Sequence, residues 1–255
     1  MSDLAVVTGA GRGIGREIAL AFAAAGFDLV LAARSTGELE VVAGEVVEEG
    51  VKALVVATDL RRTGDIERLV RSSEDFGTVQ VLVNNSGIAG PSGMLWELDP
   101  ADWEETMAVN LTAVFLACRG FLPGMIERRS GSIINIGSIT GKKPLLGRTP
   151  YAATKIGLVG LTRTLALEVG PYGIRVNLIS PGFVAGPRID RVIDMQAAAR
   201  GATADEVRAD FEAQSPLGRM TQPAEVASAA VFLASEAAGG ITGADLNVNA
   251  GVVMY

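Results

Sequence analysis

Short apolar runs alternate along the chain with longer segments in which apolar residues recur every three or four positions. The runs fall at 4–8, 28–33, 52–57, 79–83, 132–136, 174–179 and 245–248. Each is short, and apolar enough to be covered on both faces, which is how the strands of a parallel sheet read. Between them the periodicity predicts a first helix ending near residue 25, then helices over 36–49, 63–76, 100–128, 151–169 and 223–235. Gly26, Gly50 and Gly77 follow the first three, and glycine is a common helix terminator. This alternation predicts an α/β fold with a parallel sheet wound by βαβ crossovers. No repeat, linker or low-complexity tract interrupts it, so residues 1–255 read as one domain. The stretch 180–222 breaks the rhythm. It reads as a long irregular insertion, which in a compact fold points to a substrate lid.

Composition narrows the class. The chain has 255 residues, 49% of them hydrophobic, enough for one large core. Its 29 acidic and 22 basic residues leave a net charge of −7, with no basic stripe to serve as a nucleic-acid footprint. No apolar run reaches the roughly 20 residues of a membrane span. Met1 leads almost directly into the first strand, with no cationic apolar leader, so a cytoplasmic protein is expected. Cys118 is the single cysteine, which excludes an intrachain disulfide, and its apolar surroundings suggest an inert buried thiol. The absence of histidine excludes His-based triads and His-ligated zinc, and no metal is expected.

Candidate chemistry lies where strands end. Thr8, Gly9, Ala10, Gly11, Arg12, Gly13, Ile14 and Gly15 join the first strand to the first helix. Glycines there let the backbone approach a pyrophosphate, and the helix N-terminus offers free N–H groups and a positive dipole. In such folds the residue selecting the cofactor's ribose stands about 20 residues further on. Here that place holds Ala33, Arg34 and Ser35 and no acid. Arg34 could pair with a 2′-phosphate, and Arg12 could reach the same group, which favours NADP(H) while leaving NAD(H) possible. The alternative is that both arginines are solvated surface charges. Asp59 and Leu60, after the third strand, could meet the adenine. Asn84, Asn85, Ser86 and Gly87 follow the fourth strand.

Tyr151 and Lys155 stand one helical turn apart, thirteen residues and more beyond Ser138. An unperturbed tyrosine has a pKa of about 10. A lysine on the same helix face favours the phenolate and lowers that value. The pair could therefore be a tuned proton donor with the Ser138 hydroxyl beside it.

Together these pieces resemble the short-chain dehydrogenase/reductase family. The glycine loop, Asn84 to Gly87 with Ser86 in place of the usual alanine, Asn110, Ser138, Tyr151 with Lys155, and Pro181 with Gly182 match its motifs in order over essentially the whole chain. The nearest general likeness within the family is to 3-oxoacyl reductases. The resemblance implies a Rossmann-type doubly wound sheet of seven strands in the order 3-2-1-4-5-6-7. It also implies reversible hydride transfer between a nicotinamide cofactor and a ketone or secondary alcohol. Tyr151 would exchange the proton, Ser138 would hydrogen-bond the carbonyl oxygen, Lys155 would lower the tyrosine pKa and bind the ribose, and Asn110 would hold a relay water. Gly9, Gly11, Arg12, Gly13, Ile14, Gly15, Arg34, Asp59, Leu60, Asn85, Ser86, Gly87, Tyr151, Lys155, Pro181, Gly182 and Val184 would line the cofactor. Family members are usually homotetramers built on helices matching 100–128 and 151–169, with a second contact through the last helix and strand.

Two places depart from the pattern or leave it open. Gly186 stands where the family commonly has a threonine touching the cofactor. Arg188 and Arg191 follow, and could either meet an anionic substrate group or pair with Asp190 and Asp194. Leu145, Leu146 and Arg148 lie between Ser138 and Tyr151 and could line the substrate mouth. These features do not choose among a 3-oxoacyl thioester, a sugar or polyol, and a small hydroxy acid.

Overall fold

The computed structural model describes residues 3–255. Met1, whose place against the first strand the sequence suggested, lies outside the described residues. The chain runs β1 (Leu4–Thr8), α1 (Gly13–Ala24), β2 (Asp28–Ala33), α2 (Thr36–Glu48), β3 (Ala53–Ala57), α3 (Thr63–Phe76) and β4 (Val79–Asn84). It continues with α4 (Pro100–Met107), α5 (Ala113–Arg128), β5 (Gly131–Ile136), α6 (Thr149–Val169) and β6 (Ile174–Pro181). The last elements are α7 (Pro187–Arg200), α8 (Ala204–Ala213), α9 (Pro223–Ala234) and β7 (Asp245–Val248). Among the described residues the seven strands form one parallel sheet in the order β3-β2-β1-β4-β5-β6-β7. The Rossmann-type arrangement is therefore the one the resemblance implied.

Strand pleating explains why the runs are apolar throughout. Successive side chains point to opposite faces. Leu4 and Val6 join the core under α3, α5 and α6, with Ile66, Leu69, Phe121 and Leu158. Ala5 and Val7 join the other core, under α1, α2 and α9, with Ile18, Phe22, Leu39 and Val226. Burying each large apolar side chain contributes roughly 1.5–3 kcal/mol, so both faces must be covered for the sheet to be stable.

Two expectations needed correction. The segment 180–222 is not irregular: it holds α7 and α8. Ile193, Ala197, Val207 and Met220 form a satellite core there, with Phe183 and Phe211 packed edge to face at 4.7 Å. Its apolar residues are sparse because only one side of each helix is covered, so the periodicity is weak. The helix expected over 100–128 is interrupted by a π-helical turn, Ala108–Thr112, in which the Ala113 N–H bonds the Ala108 carbonyl. Counted as one rod, Pro100–Arg128 spans 29 residues, and an 18-residue window of it has a mean hydropathy of 1.5, enough by length and composition to cross a bilayer, although no uninterrupted apolar run in it approaches 20 residues. In this fold Ala113, Val114, Ala117, Cys118, Phe121 and Met125 turn its apolar side into the core.

Candidate active site

The sheet reverses its winding direction between β1 and β4, and the loops at the carboxyl ends of those strands frame a crevice. That is where open α/β sheets bind ligands. The glycine loop is built for close approach there. A Cβ on Gly15 would collide with the Gly9 carbonyl oxygen, so the start of α1 packs directly on the loop. Gly13 has φ +56° and nothing within 4 Å of its would-be Cβ: its backbone conformation favours glycine, and the space above it is open. No side chain caps the N-terminus of α1. An uncapped helix start beside open glycine backbone fits the pyrophosphate of a dinucleotide.

Asn85 and Ser86 brace this loop. Asn85 Nδ2 donates to the carbonyls of Thr8 at 2.8 Å and Gly9 at 3.3 Å, while the Thr8 hydroxyl accepts from the N–H groups of Asn85 and Ser86. Asn84, the last residue of β4, points into the core instead, donating to Asn135 Oδ1 at 2.9 Å. Asn135 in turn donates to Thr162 Oγ1 at 2.9 Å.

Beyond β2 and β3 lies a depression of about 410 Å³ lined by Arg34, Thr58, Asp59, Arg62, Asp65 and Arg68. Arg34 is exposed on its rim. The Asp59 carboxylate is held by Arg61 in a fork of 2.6 and 2.9 Å, and that hydrogen bonding brings its pKa down to about 2. Arg12 pairs with Glu38 at 3.4 Å, and both side chains are well exposed. Such a pair stabilises little, so it costs little to open. Arg62, in the pocket wall, was missed from sequence; in the run Asp59-Leu60-Arg61-Arg62 nothing distinguishes it from its neighbour. A larger depression of about 510 Å³, lined by Glu74, Val79, Phe121 and Arg128, lies at the opposite end of β4, away from these loops.

Ser138 follows β5, and α6 begins at Thr149, so the fold brings Ser138, Tyr151 and Lys155 together. The Ser138 hydroxyl accepts from the Thr140 N–H at 3.1 Å and donates to Thr140 Oγ1 at 3.2 Å. Lys155 is 5% exposed; its Nζ donates to the Ile136 carbonyl at 2.9 Å and lies 5.6 Å from the Tyr151 ring centre. Burial pushes the Tyr151 phenol up. The charges of Lys155 and Arg188, the Ser138 hydrogen bond and the charge of Arg148 outweigh it, and the net pKa falls below the ordinary tyrosine value. Burial lowers the Lys155 pKa, with Tyr151 opposing and Arg188 assisting. A tyrosine tuned in this way can exchange a proton nearer to neutral pH.

Asn110 sits fully buried in the π-helical turn, a feature that recurs at functional sites. Its Oδ1 accepts from the Ile88 N–H at 2.8 Å, and its Nδ2 donates to the Ile88 carbonyl at 3.0 Å and Thr154 Oγ1 at 3.3 Å. The side chain thus ties the loop after β4 to α6. A Cβ on Gly87 would lie 3.3 Å from Asn110 Oδ1 and 3.6 Å from Lys155 Nζ, so the three meet.

Pro181, Gly182 and Val184 form the base of the α7–α8 segment. It is pinned by hydrogen bonds of 2.9 Å each way between Thr221 and the backbone of Phe183 and Ala185. Leu145 is exposed. Arg148 donates to Ser92 Oγ at 2.5 Å and the Ala89 carbonyl at 2.7 Å, joining the loop after β4 to the start of α6. The Arg148 and Arg188 guanidinium carbons lie 5.5 and 5.9 Å from the Tyr151 ring centre. Asp190, the partner considered for Arg188 from sequence, is held by Arg208 at 2.6 Å. Lys142, just past Ser138, forms a buried ion pair with Asp245 at 2.9 Å across to β7. Nothing in the linear pattern signals this pair, whose partners stand far apart in the chain.

A dinucleotide loop, a Ser–Tyr–Lys constellation and the reversal of winding between them define an oxidoreductase class of site. The family model described as Enoyl-(Acyl carrier protein) reductase matches residues 9–253. The chain is 36% identical to the 3-oxoacyl-(acyl-carrier-protein) reductase FabG of Staphylococcus epidermidis, covering 100% of both. It is 36% identical to the corresponding protein of Vibrio harveyi over 98% of this chain and 97% of that one. Among solved structures, a variant of actinorhodin polyketide ketoreductase with NADPH superimposes with a TM-score of 0.94 at 37% identity, covering 100% of this chain and 98% of that one. NAD+-bound xylitol dehydrogenase gives 0.92 at 28% identity, covering 98% of each. The chain belongs to the short-chain dehydrogenase/reductase family and is an oxidoreductase acting on a carbonyl or its alcohol through a nicotinamide cofactor.

Proposed function

We propose that this oxidoreductase reduces a 3-oxoacyl thioester with NADPH. The observation that carries the reading is the convergence of Ser138, Tyr151 and Lys155 at the carboxyl end of the sheet. When bound, the dinucleotide supplies the hydride. The Tyr151 hydroxyl gives its proton to the carbonyl oxygen in reduction and recovers it in oxidation. The Ser138 Oγ–H donates to the same oxygen and stabilises charge developing there. Lys155 holds the tyrosine pKa down and reaches the nicotinamide ribose. The Asn110 amide is committed to Ile88 and Thr154, so it acts as a positioning residue for Lys155 beside a proton-relay water. Gly9, Gly11, Gly13, Ile14 and Gly15 cradle the pyrophosphate. Asp59 and Leu60 border the adenine. Arg34, with Arg62 and the easily released Arg12, meets the 2′-phosphate. The NADPH of the polyketide ketoreductase and the names of the FabG relatives support these choices.

The name of the matching family, enoyl-(acyl carrier protein) reductase, would suggest reduction of a carbon–carbon double bond. A serine hydroxyl beside a proton-donating tyrosine serves an oxygen, which favours the carbonyl. A second reading, NAD(H)-dependent oxidation of a polyol, is favoured by the likeness to xylitol dehydrogenase. The α7–α8 segment serves as the substrate lid of a single 255-residue domain. Exposed Phe115, Ile156 and Leu167 on α5 and α6 fit a homotetramer interface, and a cytoplasmic location agrees with the reductase reading. The test is absorbance at the reduced-nicotinamide band. Acetoacetyl thioester should consume NADPH faster than NADH; turnover confined to xylitol with NAD+ would overturn the reading.

A further inference from the structure

Positive charge gathers round Tyr151 without carboxylates to meet it. The Arg148 and Arg188 guanidinium groups and the Lys155 ammonium all lie within 6 Å of one ring centre. Among the described residues none of the three forms an ion pair with an acidic side chain. This does not come from scarcity, because acidic residues outnumber basic ones 29 to 22. The nearest acid in sequence, Asp190, is taken by Arg208. Cation–π attraction offsets part of the mutual repulsion, and the neutral phenol required for reduction offsets none of the net charge.

The donors are free as well. A guanidinium carries five N–H groups, and Arg148 commits one nitrogen to Ser92 and another to Ala89, so several remain. The Arg188 side chain makes no hydrogen bond or ion pair among the described residues. The two forks come from different elements, one from the turn entering α6 and one from the first turn of α7, so they can close on a ligand from two sides. Guanidinium geometry suits carboxylate and phosphate oxygens.

We propose that Arg148 and Arg188 clamp an oxyanion carried by the substrate, so that its carbonyl comes to rest against Tyr151. The proposal rests on the carbonyl-reduction reading above. The oxyanion is a carboxylate within a few bonds of the carbonyl, as in a short oxo acid; the phosphate of a carrier arm stands about sixteen bonds away, beyond two guanidinium groups that lie within 6 Å of the Tyr151 ring centre.

Two matched pairs separate a carboxylate beside the carbonyl from a distant phosphate: acetoacetate against ethyl acetoacetate, and acetoacetyl-coenzyme A against the neutral acetoacetyl-N-acetylcysteamine. Steady-state reduction with NADPH is measured for the wild type, R188M, R148Q and R188K, together with NADPH affinity by fluorescence. In R188M the anionic-to-neutral ratio of kcat/KM should fall at least about tenfold in the first pair, chiefly through KM, and R188K should restore part of it. A fall confined to the second pair overturns the clamp, because the arginines then meet a phosphate remote from the carbonyl. R148Q should lower the same ratio. Ratios within twofold of wild type in both pairs overturn the clamp while leaving carbonyl reduction intact. A matching loss of NADPH affinity also overturns it, because the arginines then serve the cofactor. A wild type that binds NADPH yet reduces none of the four ketones overturns the carbonyl reading and the clamp with it.

Discussion

At the Tyr151 end of the sheet's rim, Lys155 and Asn110 are buried, and hydrogen bonds to Ile136, Ile88 and Thr154 fix their positions. At the Arg34 end the charged groups stand in solvent, and several are occupied with one another: Arg12 with Glu38, Arg61 with Asp59 and Glu105, Arg68 with Asp65. On the proposed reading the difference follows from what each end does. Proton transfer needs a shifted pKa, and burial and nearby fixed charge provide it. Recognition of a ribose phosphate needs only accessible charge, which water and salt weaken. The first end should therefore fail sharply when altered, and the second by degrees.

The largest expected effect is at the first end. Tyr151→Phe removes the proposed proton donor and should lower kcat by about 10²–10⁴-fold, the usual share of general acid–base catalysis. Steady-state turnover checks this. Stability is the next largest. Lys142 and Asp245 are 10% and 6% exposed in their side chains, and Ser180 also donates to Asp245 at 2.7 Å. Lys142→Met leaves a buried carboxylate unpaired, which costs about 3–5 kcal/mol. Urea unfolding should show this as a lower midpoint. At the second end, Arg34→Ala should weaken NADPH by about tenfold or more and NADH little, with the difference shrinking as salt is raised. Titration of both cofactors at two ionic strengths reads it. The smallest effect is a pH shift. Oxidation of ethyl 3-hydroxybutanoate should speed up as pH rises through the Tyr151 pKa, which lies below the ordinary tyrosine value. Arg188→Met removes a positive charge, raises that pKa and moves the limb to higher pH.

What could be read from sequence follows the same division between local and distant causes. Strands such as Leu4–Thr8 announce themselves because both faces are covered. Tyr151 and Lys155 are visible because an i, i+4 pair is local. The π-helical turn at Asn110 was hidden, since periodicity does not register one widened turn inside a long helix. Helices α7 and α8 were hidden by thin burial. The orientation of Arg188 depended on Arg208 taking Asp190, and the hold on Asp59 on which of two adjacent arginines reached its carboxylate. Choices of this kind are made by tertiary neighbours that a linear pattern does not display.

The division of labour between the two ends is tested most directly by one crossed measurement. Tyr151→Phe and Arg34→Ala are each assayed for NADPH affinity and for the single-turnover rate of ketone reduction at saturating NADPH. Tyr151→Phe should keep affinity and lose the rate; Arg34→Ala should lose affinity and keep the rate. If both variants lose the same quantity, the separation of chemistry from recognition is contradicted.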